Sequence, residues 1–218
     1  MIVLIRHGEA THHTENLTGG WTDSLLTAKG ESQLSVLADR LRYDFAKRNT
    51  PAIYTSDLRR AARSAEIIGQ ALGVKKINKA VFLREKNNGK AANISEEQAK
   101  HFFRLPPSEQ ALDHANYEGG ETRRTFYNRV VAGMKQLSLE SRDIILVAHK
   151  GSIQNIICWW LGFTIDEVVK KNFSVDIRPA SVTVLGINKW HEHAIFLLND
   201  TSYAKAAAEG FGFSEFKK

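Results

Sequence analysis

Residues 2–13 read IVLIRHGEATHH: a short apolar run opens directly onto an arginine and three histidines. The run Ile2 to Ile5 has the β-branched, uninterrupted character of a strand covered on both faces, as in a parallel sheet packed between helices. Arg6 and His7 stand at the carboxyl end of that strand, with His12 and His13 following in a polar loop. Imidazoles crowded beside a guanidinium have two uses. They can ligate a metal, or one can attack a phosphoryl group that the arginine holds.

Outward from this strand, short β-type runs alternate with longer helical ones, the pattern of βαβ units. Thr27 to Arg48 carries Leu34, Leu37, Leu41 and Phe45 at helical spacing, and Pro51 precedes a strand at Ala52 to Thr55. Leu58 to Leu72 predicts a second helix, stopped by Gly73. Val81 to Leu83 is a short strand candidate. Residues 85–120 form a polar, irregular insertion expected to cap one end of the sheet, with a helix opened by the capping box Ser95-Glu96-Glu97-Gln98. Glu121 to Leu139 and Ser152 to Leu161 predict helices flanking the buried strand Asp143 to Ala148. Ser181 to Ile187 and Ala194 to Leu198 pair around a turn at Asn188 to His193. The segment from about Ala204 reads as a loosely attached tail. The expected architecture is a single domain over residues 1–218, a three-layer α/β/α sandwich on a mostly parallel sheet.

In 218 residues, 43% apolar and 25% charged, there is enough material for a substantial core and no sign of a fibrous or disordered chain. The apolar start is too short for a signal peptide, and no window approaches the roughly eighteen apolar residues of a membrane span, so a cytoplasmic protein without membrane attachment is expected. Cys158, the only cysteine, lies in an apolar run and reads as buried and inert. A net charge of +6 is scattered rather than gathered into a basic arm. It suits a small anionic partner, not a nucleic acid. A homodimer is compatible with the sequence, which does not fix the oligomeric state.

In an open parallel sheet, ligands bind beyond the carboxyl ends of the strands. Those ends deliver Arg6 and His7, then Arg59 and Arg60, then Glu85, then His149. Guanidinium forks bind phosphate oxygens bidentately and neutralise developing charge. A histidine of ordinary pKa about 6.5 beside such cations stays neutral and nucleophilic. A carboxyl group can pass its proton to the leaving oxygen. The chemistry suited to this set is phosphoryl transfer.

Five stretches in order, LIRHGEA (4–10), NLTGGWTDSLLTAKGESQ (16–33), YTSDLRRAARSAE (54–66), LREKNNG (83–89) and ILVAHKGS (145–152), resemble the blocks of the histidine phosphatase superfamily, the phosphoglycerate mutase-like proteins. The resemblance implies that His7 is the phosphorylated nucleophile, Arg6 and Arg60 phosphate ligands, Glu85 the proton donor and His149 a second histidine bonding the phosphoryl group. It implies no metal and no cofactor. Arg60 takes the family's place in the L-x-R-A frame. Arg59, about 100° away on the helix, pairs with Arg63 as a solvated face.

Three positions depart from the family. His13 stands where many relatives carry a phosphate-binding Asn, and its charge would follow pH. Lys150 replaces a Gly, so it is either strained there or offers an ammonium to a second anionic group. GKAAN (89–93) replaces a Trp-Glu-Gly. His13 and Lys150 join the expected substrate-binding residues, while His12 and His13 read equally well as solvated loop residues. His191-Glu192-His193 has metal-ligand spacing but falls in the hairpin turn and reads as exposed.

The implied activity is a metal-independent phosphatase acting on a small phosphorylated metabolite. A phosphoglycerate mutase-type phosphotransferase is the alternative, less favoured because only about sixty residues separate Glu85 from His149, where mutases carry a longer insertion. A metallohydrolase and a non-catalytic phospholigand-binding module are the readings of other classes.

Overall fold

The run Ile2–Arg6 forms strand β1, and its side chains alternate between two faces. Val3 and Ile5 enter one hydrophobic cluster, Ile2 and Leu4 the other, so this one strand is fully covered on both sides. The computed structural model describes residues 1–108, 111–137, 143–204, 211 and 213. The remaining strands are β2 (Ala52–Thr55), β3 (Ile77–Lys79), β4 (Ile144–Ala148), β5 (Val182–Ile187) and β6 (His193–Asp200). They form one sheet in the order β3-β2-β4-β1-β5-β6. The β3, β2, β4 and β1 neighbours are parallel, with Ile2 opposite Ile144 and Arg6 opposite Ala148. The β1–β5 and β5–β6 pairs are antiparallel.

The helices are α1 (Thr11–Thr14), α2 (Ala28–Phe45), α3 (Arg59–Leu72), α4 (Glu96–Lys100), α5 (Arg123–Gln136), α6 (Lys150–Trp160) and α7 (Ile165–Lys170). Helix α2 starts where the Thr27 side chain accepts the Gly30 N–H at 3.0 Å, and buries Leu34, Leu37, Leu41 and Phe45. With α3 it covers the face holding Val3 and Ile5, while α5 and α6 cover the face holding Ile2 and Leu4. The fold is therefore the three-layer sandwich on a mostly parallel sheet. Gly73 does stop α3, in the left-handed conformation at φ 68°. Ser95 and Gln98 form the expected capping box at α4.

Several boundaries differ from the sequence reading. Val81–Leu83 is a 3-10 turn, and the strand is the preceding Ile77–Lys79. Strand β2 ends at Thr55, whose carbonyl accepts the Ala80 N–H at 2.8 Å, so among the described residues no strand pairs with 81–83, and of these three only Leu83 is fully buried. Helix α5 begins after Thr122, because Glu121 turns its carboxylate away to Arg129 and to the Asn87 N–H. Its expected end at Leu139 lies outside the described residues. The tail is held at two described points: Phe211 and Phe213 are buried, and both their N–H groups donate to the buried Asp44 carboxylate, at 2.6 and 3.2 Å. The other residues from 205 onward lie outside the described set. Among the described residues no helix is long and apolar enough to cross a membrane.

Candidate active site

The cleft lies beyond the carboxyl ends of β1, β2 and β4 and encloses about 480 Å³. Arg6, His7, His13, Arg60, Glu85, His149 and Lys150, all the residues expected from sequence, line it. Each arrives by a short link. β1 ends in Arg6, His7 follows it, His149 caps α6 directly after β4, and Arg60 is the second residue of α3.

His7 is buried, and its Nδ1 lies 2.8 Å from the Gly8 carbonyl. A carbonyl only accepts, so Nδ1 carries the proton and the lone pair is on Nε2. That Nε2 faces the Arg60 Nε at 3.3 Å, an N–H that cannot be taken from a guanidinium. Burial, then the charges of His149, Arg60 and Arg6, holds His7 well below the ordinary imidazole range and therefore neutral.

Arg60 is among the largest fully buried side chains. It donates to the carbonyls of Thr22 (2.7 Å) and Gly20 (2.6 Å) and to the Ser24 hydroxyl (3.2 Å), so it also fixes the loop between α1 and α2. Burial lowers it to about 10, leaving it charged at neutral pH. Arg59 and Arg63 point outward to Asp23 and Glu31, as the helix geometry predicts. Arg6 donates to the Ile177 carbonyl at 2.6 Å, and its other terminal nitrogen meets His13 Nε2 at 2.9 Å.

His149 is buried with its ring 5.0 Å from that of His7, and neither ring nitrogen has a hydrogen-bond partner among the described residues. Burial, then Arg60 and Arg6, holds it well below the ordinary range. An orphaned imidazole N–H costs free energy unless a ligand satisfies it.

Glu85 enters from the turn after Val81–Leu83. Its carboxylate accepts the Lys86 N–H at 2.8 Å and the Gly151 N–H at 2.9 Å. Its carbonyl accepts from Trp21 Nε1 at 2.7 Å and from Arg129 at 3.1 Å. Arg84 lies over the Trp21 ring and pairs with Asp57, so three strand-end loops are tied to the acid. A Cβ on Gly151 would come within 2.3 Å of the Glu85 carboxylate and 2.9 Å of the Phe126 ring, so any larger residue there would push the carboxylate out of its place.

Two departures from the family now have physical accounts. Lys150 is the first residue of α6 with negative φ, so it is unstrained, and its ammonium pairs with Asp176 at the cleft rim. His13 reaches back to the Ala10 N–H through Nδ1 at 3.1 Å, so Nε2 bears the proton and opposes an Arg6 N–H. An anion between them would relieve that opposition by accepting from both. Burial and the two arginines push His13 to about 4, so in the free protein it is a neutral donor, as an Asn would be.

His12, for which the sequence left a solvated loop residue and a substrate role equally open, is buried in the cleft wall with Nδ1 2.9 Å from the Ser24 hydroxyl and is pushed by burial to about 3. The His12 and His13 rings are 4.0 Å apart, and both lie within 6 Å of His7, at 5.9 and 5.8 Å. They are therefore closer to the site than their place in the loop suggests. The short α1 turn folds them back, and four residues leave no periodic signal in the sequence that could have announced it. Among the described residues no group of three or more His, Cys, Asp or Glu side chains is placed to hold a metal ion. His193 stacks on Trp160 with ring centroids 4.1 Å apart and bonds its carbonyl at 2.5 Å, while His191 stays in the exposed turn.

The family model described as the histidine phosphatase superfamily (branch 1) matches residues 2–201. A 2,3-bisphosphoglycerate-dependent phosphoglycerate mutase of Bartonella tribocorum is 25% identical over 191 residues, covering 81% of this chain and 88% of the relative. The fold is similar to the crystal structure of the alpha-ribazole phosphatase from Shigella flexneri, with TM-score 0.75, 22% identity and 92% and 96% of the two chains covered. It is also similar to a mycobacterial glucosyl-3-phosphoglycerate phosphatase, with TM-score 0.70, 23% identity and 91% and 98% covered. At these identities the solved structures speak for the fold alone. The family match spans nearly the whole sheet and every residue of the cleft, so the chain belongs to the histidine phosphatase superfamily, in its first branch.

Proposed function

We propose that the chain is a metal-independent phosphatase that hydrolyses the phosphate monoester of a small metabolite through a phosphohistidine on His7. The observation that carries this reading is the tautomer of His7: Nδ1 is committed to Gly8, and the Nε2 lone pair, which in the free protein accepts a long 3.3 Å bond from Arg60 Nε, faces a cleft holding Arg6, Arg60, His149 and Glu85. The His7 Nε2 lone pair attacks phosphorus, the bond to the ester oxygen breaks, and that oxygen takes a proton from the Glu85 carboxyl group. Water then attacks the phosphohistidine and gives its proton to the Glu85 carboxylate. The nitrogen–phosphorus electron pair returns to Nε2, and inorganic phosphate leaves. Arg6, Arg60, His13 and His149 hold the three non-bridging oxygens and balance the charge that builds on them.

The test is a panel of phosphorylated metabolites with and without EDTA, on wild type and His7→Ala. Released phosphate and acid-labile phosphoenzyme are measured. Turnover that survives EDTA and drops about ten-thousand-fold in His7→Ala supports the mechanism. Turnover retained by His7→Ala overthrows it. Kinship with named mutases favours a second reading, transfer of the phosphoryl group to another hydroxyl. A phosphorylated product in place of inorganic phosphate would mark it.

A further inference from the structure

Behind Glu85 is a second cavity of about 300 Å³, separate from the phosphate cleft but sharing Glu85 and Lys86 with it as lining. Its floor is apolar, from Phe126, Ile165 and Val168, and its polar lining sets two cations, Lys86 and Arg123, beside side-chain amides and the Glu85 carboxylate, whose oxygens already accept the Lys86 and Gly151 N–H groups. Asn155 is only 8% exposed, lines the cavity and has its Nδ2 without a hydrogen-bond partner among the described residues. Arg123, the first residue of α5, makes no ion pair or side-chain hydrogen bond among the described residues. The nearby carboxylates Asp113 and Asp166 are both taken by Arg124. Lys86 also reaches in, 3.5 Å from the Asn116 carbonyl oxygen, and feels the charge of Arg123. Glu121, close to Lys86, is neutralised by two bonds from Arg129. Two cations and an orphaned buried amide around an apolar floor describe a receptor for an anion carried on an apolar body.

Resting on the phosphatase reading of the cleft, we propose that this cavity takes the far end of the substrate's leaving group. The substrate is then a phosphate ester of an alcohol whose apolar body passes Glu85 and Lys86 and ends in a carboxylate held by Arg123 and Asn155. A leaving group with no such arm reaches only the cleft.

The test compares phenyl phosphate with the same ester carrying a para-propanoate arm, on wild type and Arg123→Ala, and titrates both proteins calorimetrically with phenylpropanoate. The expected result is that wild type prefers the carboxylated ester by about tenfold or more in kcat/KM, and that the preference collapses in Arg123→Ala. No preference in wild type, or an undiminished preference in Arg123→Ala, overturns the proposal. If neither ester is turned over, the phosphatase reading fails by itself. The calorimetry still decides the cavity: binding of phenylpropanoate weakened about tenfold by Arg123→Ala supports it, and no binding sinks it.

Discussion

Strands β1 and β4 run parallel side by side and each is followed by a histidine, yet the two endings are built in opposite ways. After β1, the His7 ring is fixed at one nitrogen by the Gly8 carbonyl and faced at the other by Arg60. After β4, the His149 ring is just as buried but, among the described residues, bonded at neither nitrogen. In the proposed mechanism the difference separates two tasks on one scaffold. A nucleophile needs a committed tautomer that leaves its lone pair on the attacking nitrogen, so the protein supplies the hydrogen bond to the other nitrogen in advance. A group that stabilises charge needs an unspent donor, so the protein withholds a partner and leaves the cost of that orphan to be offset by the ligand.

This contrast can be broken at several strengths below the loss expected for His7→Ala. His149→Ala should lower kcat by about a hundred- to a thousand-fold while leaving acid-labile phosphoenzyme detectable, since the nucleophile is intact. Loss of phosphoenzyme on the timescale of wild type would make His149 a partner in attack. Gly151→Ala should lower kcat by about a hundred-fold, because its Cβ displaces the Glu85 carboxylate. The loss should shrink with an aryl phosphate whose good leaving group needs no proton, and an equal loss on both substrates would contradict the role of Glu85.

The smallest effect concerns stability and its dependence on pH. A histidine whose folded value lies below its unfolded value of about 6.5 takes up a proton on unfolding whenever the pH lies between the two. His7, His12, His13 and His149 are all lowered, so stability should fall as pH drops below about 6.5 and keep falling towards about 4, the value of His13. Urea midpoints across this range should show the decline. His12→Asn, which keeps a hydrogen-bonding group near Ser24, should make it shallower by up to one proton. An unchanged slope would mean that His12 is not held neutral by the fold.

The layers of the fold were legible because buried strands and amphipathic helices leave uninterrupted or periodic patterns, as in Ile2–Arg6 and Leu34 to Phe45. Strand β3 was not, because an edge strand of three half-exposed residues leaves almost no hydrophobic signature. The short helices α1 and α7 were missed for a related reason, being too brief for periodicity to show. At the site, strand ends and family blocks pointed to His7, Arg6, Arg60, Glu85 and His149. His12 was opaque because its place depends on Ser24, itself held by Arg60, which it meets only in the folded chain. The same holds for Gly151, whose necessity is the nearness of Glu85, and for the second cavity, assembled from α5, α6, α7 and the insertion.

The four neutral rings also bear on how heat is exchanged when a ligand arrives. A phosphate dianion entering among them favours their protonated forms, so binding should draw protons from the buffer. Affinity would then strengthen as the solution is made mildly acidic. The binding enthalpy measured in phosphate-free buffers should vary linearly with the ionisation enthalpy of the buffer, its slope counting the protons that the histidine cluster takes up.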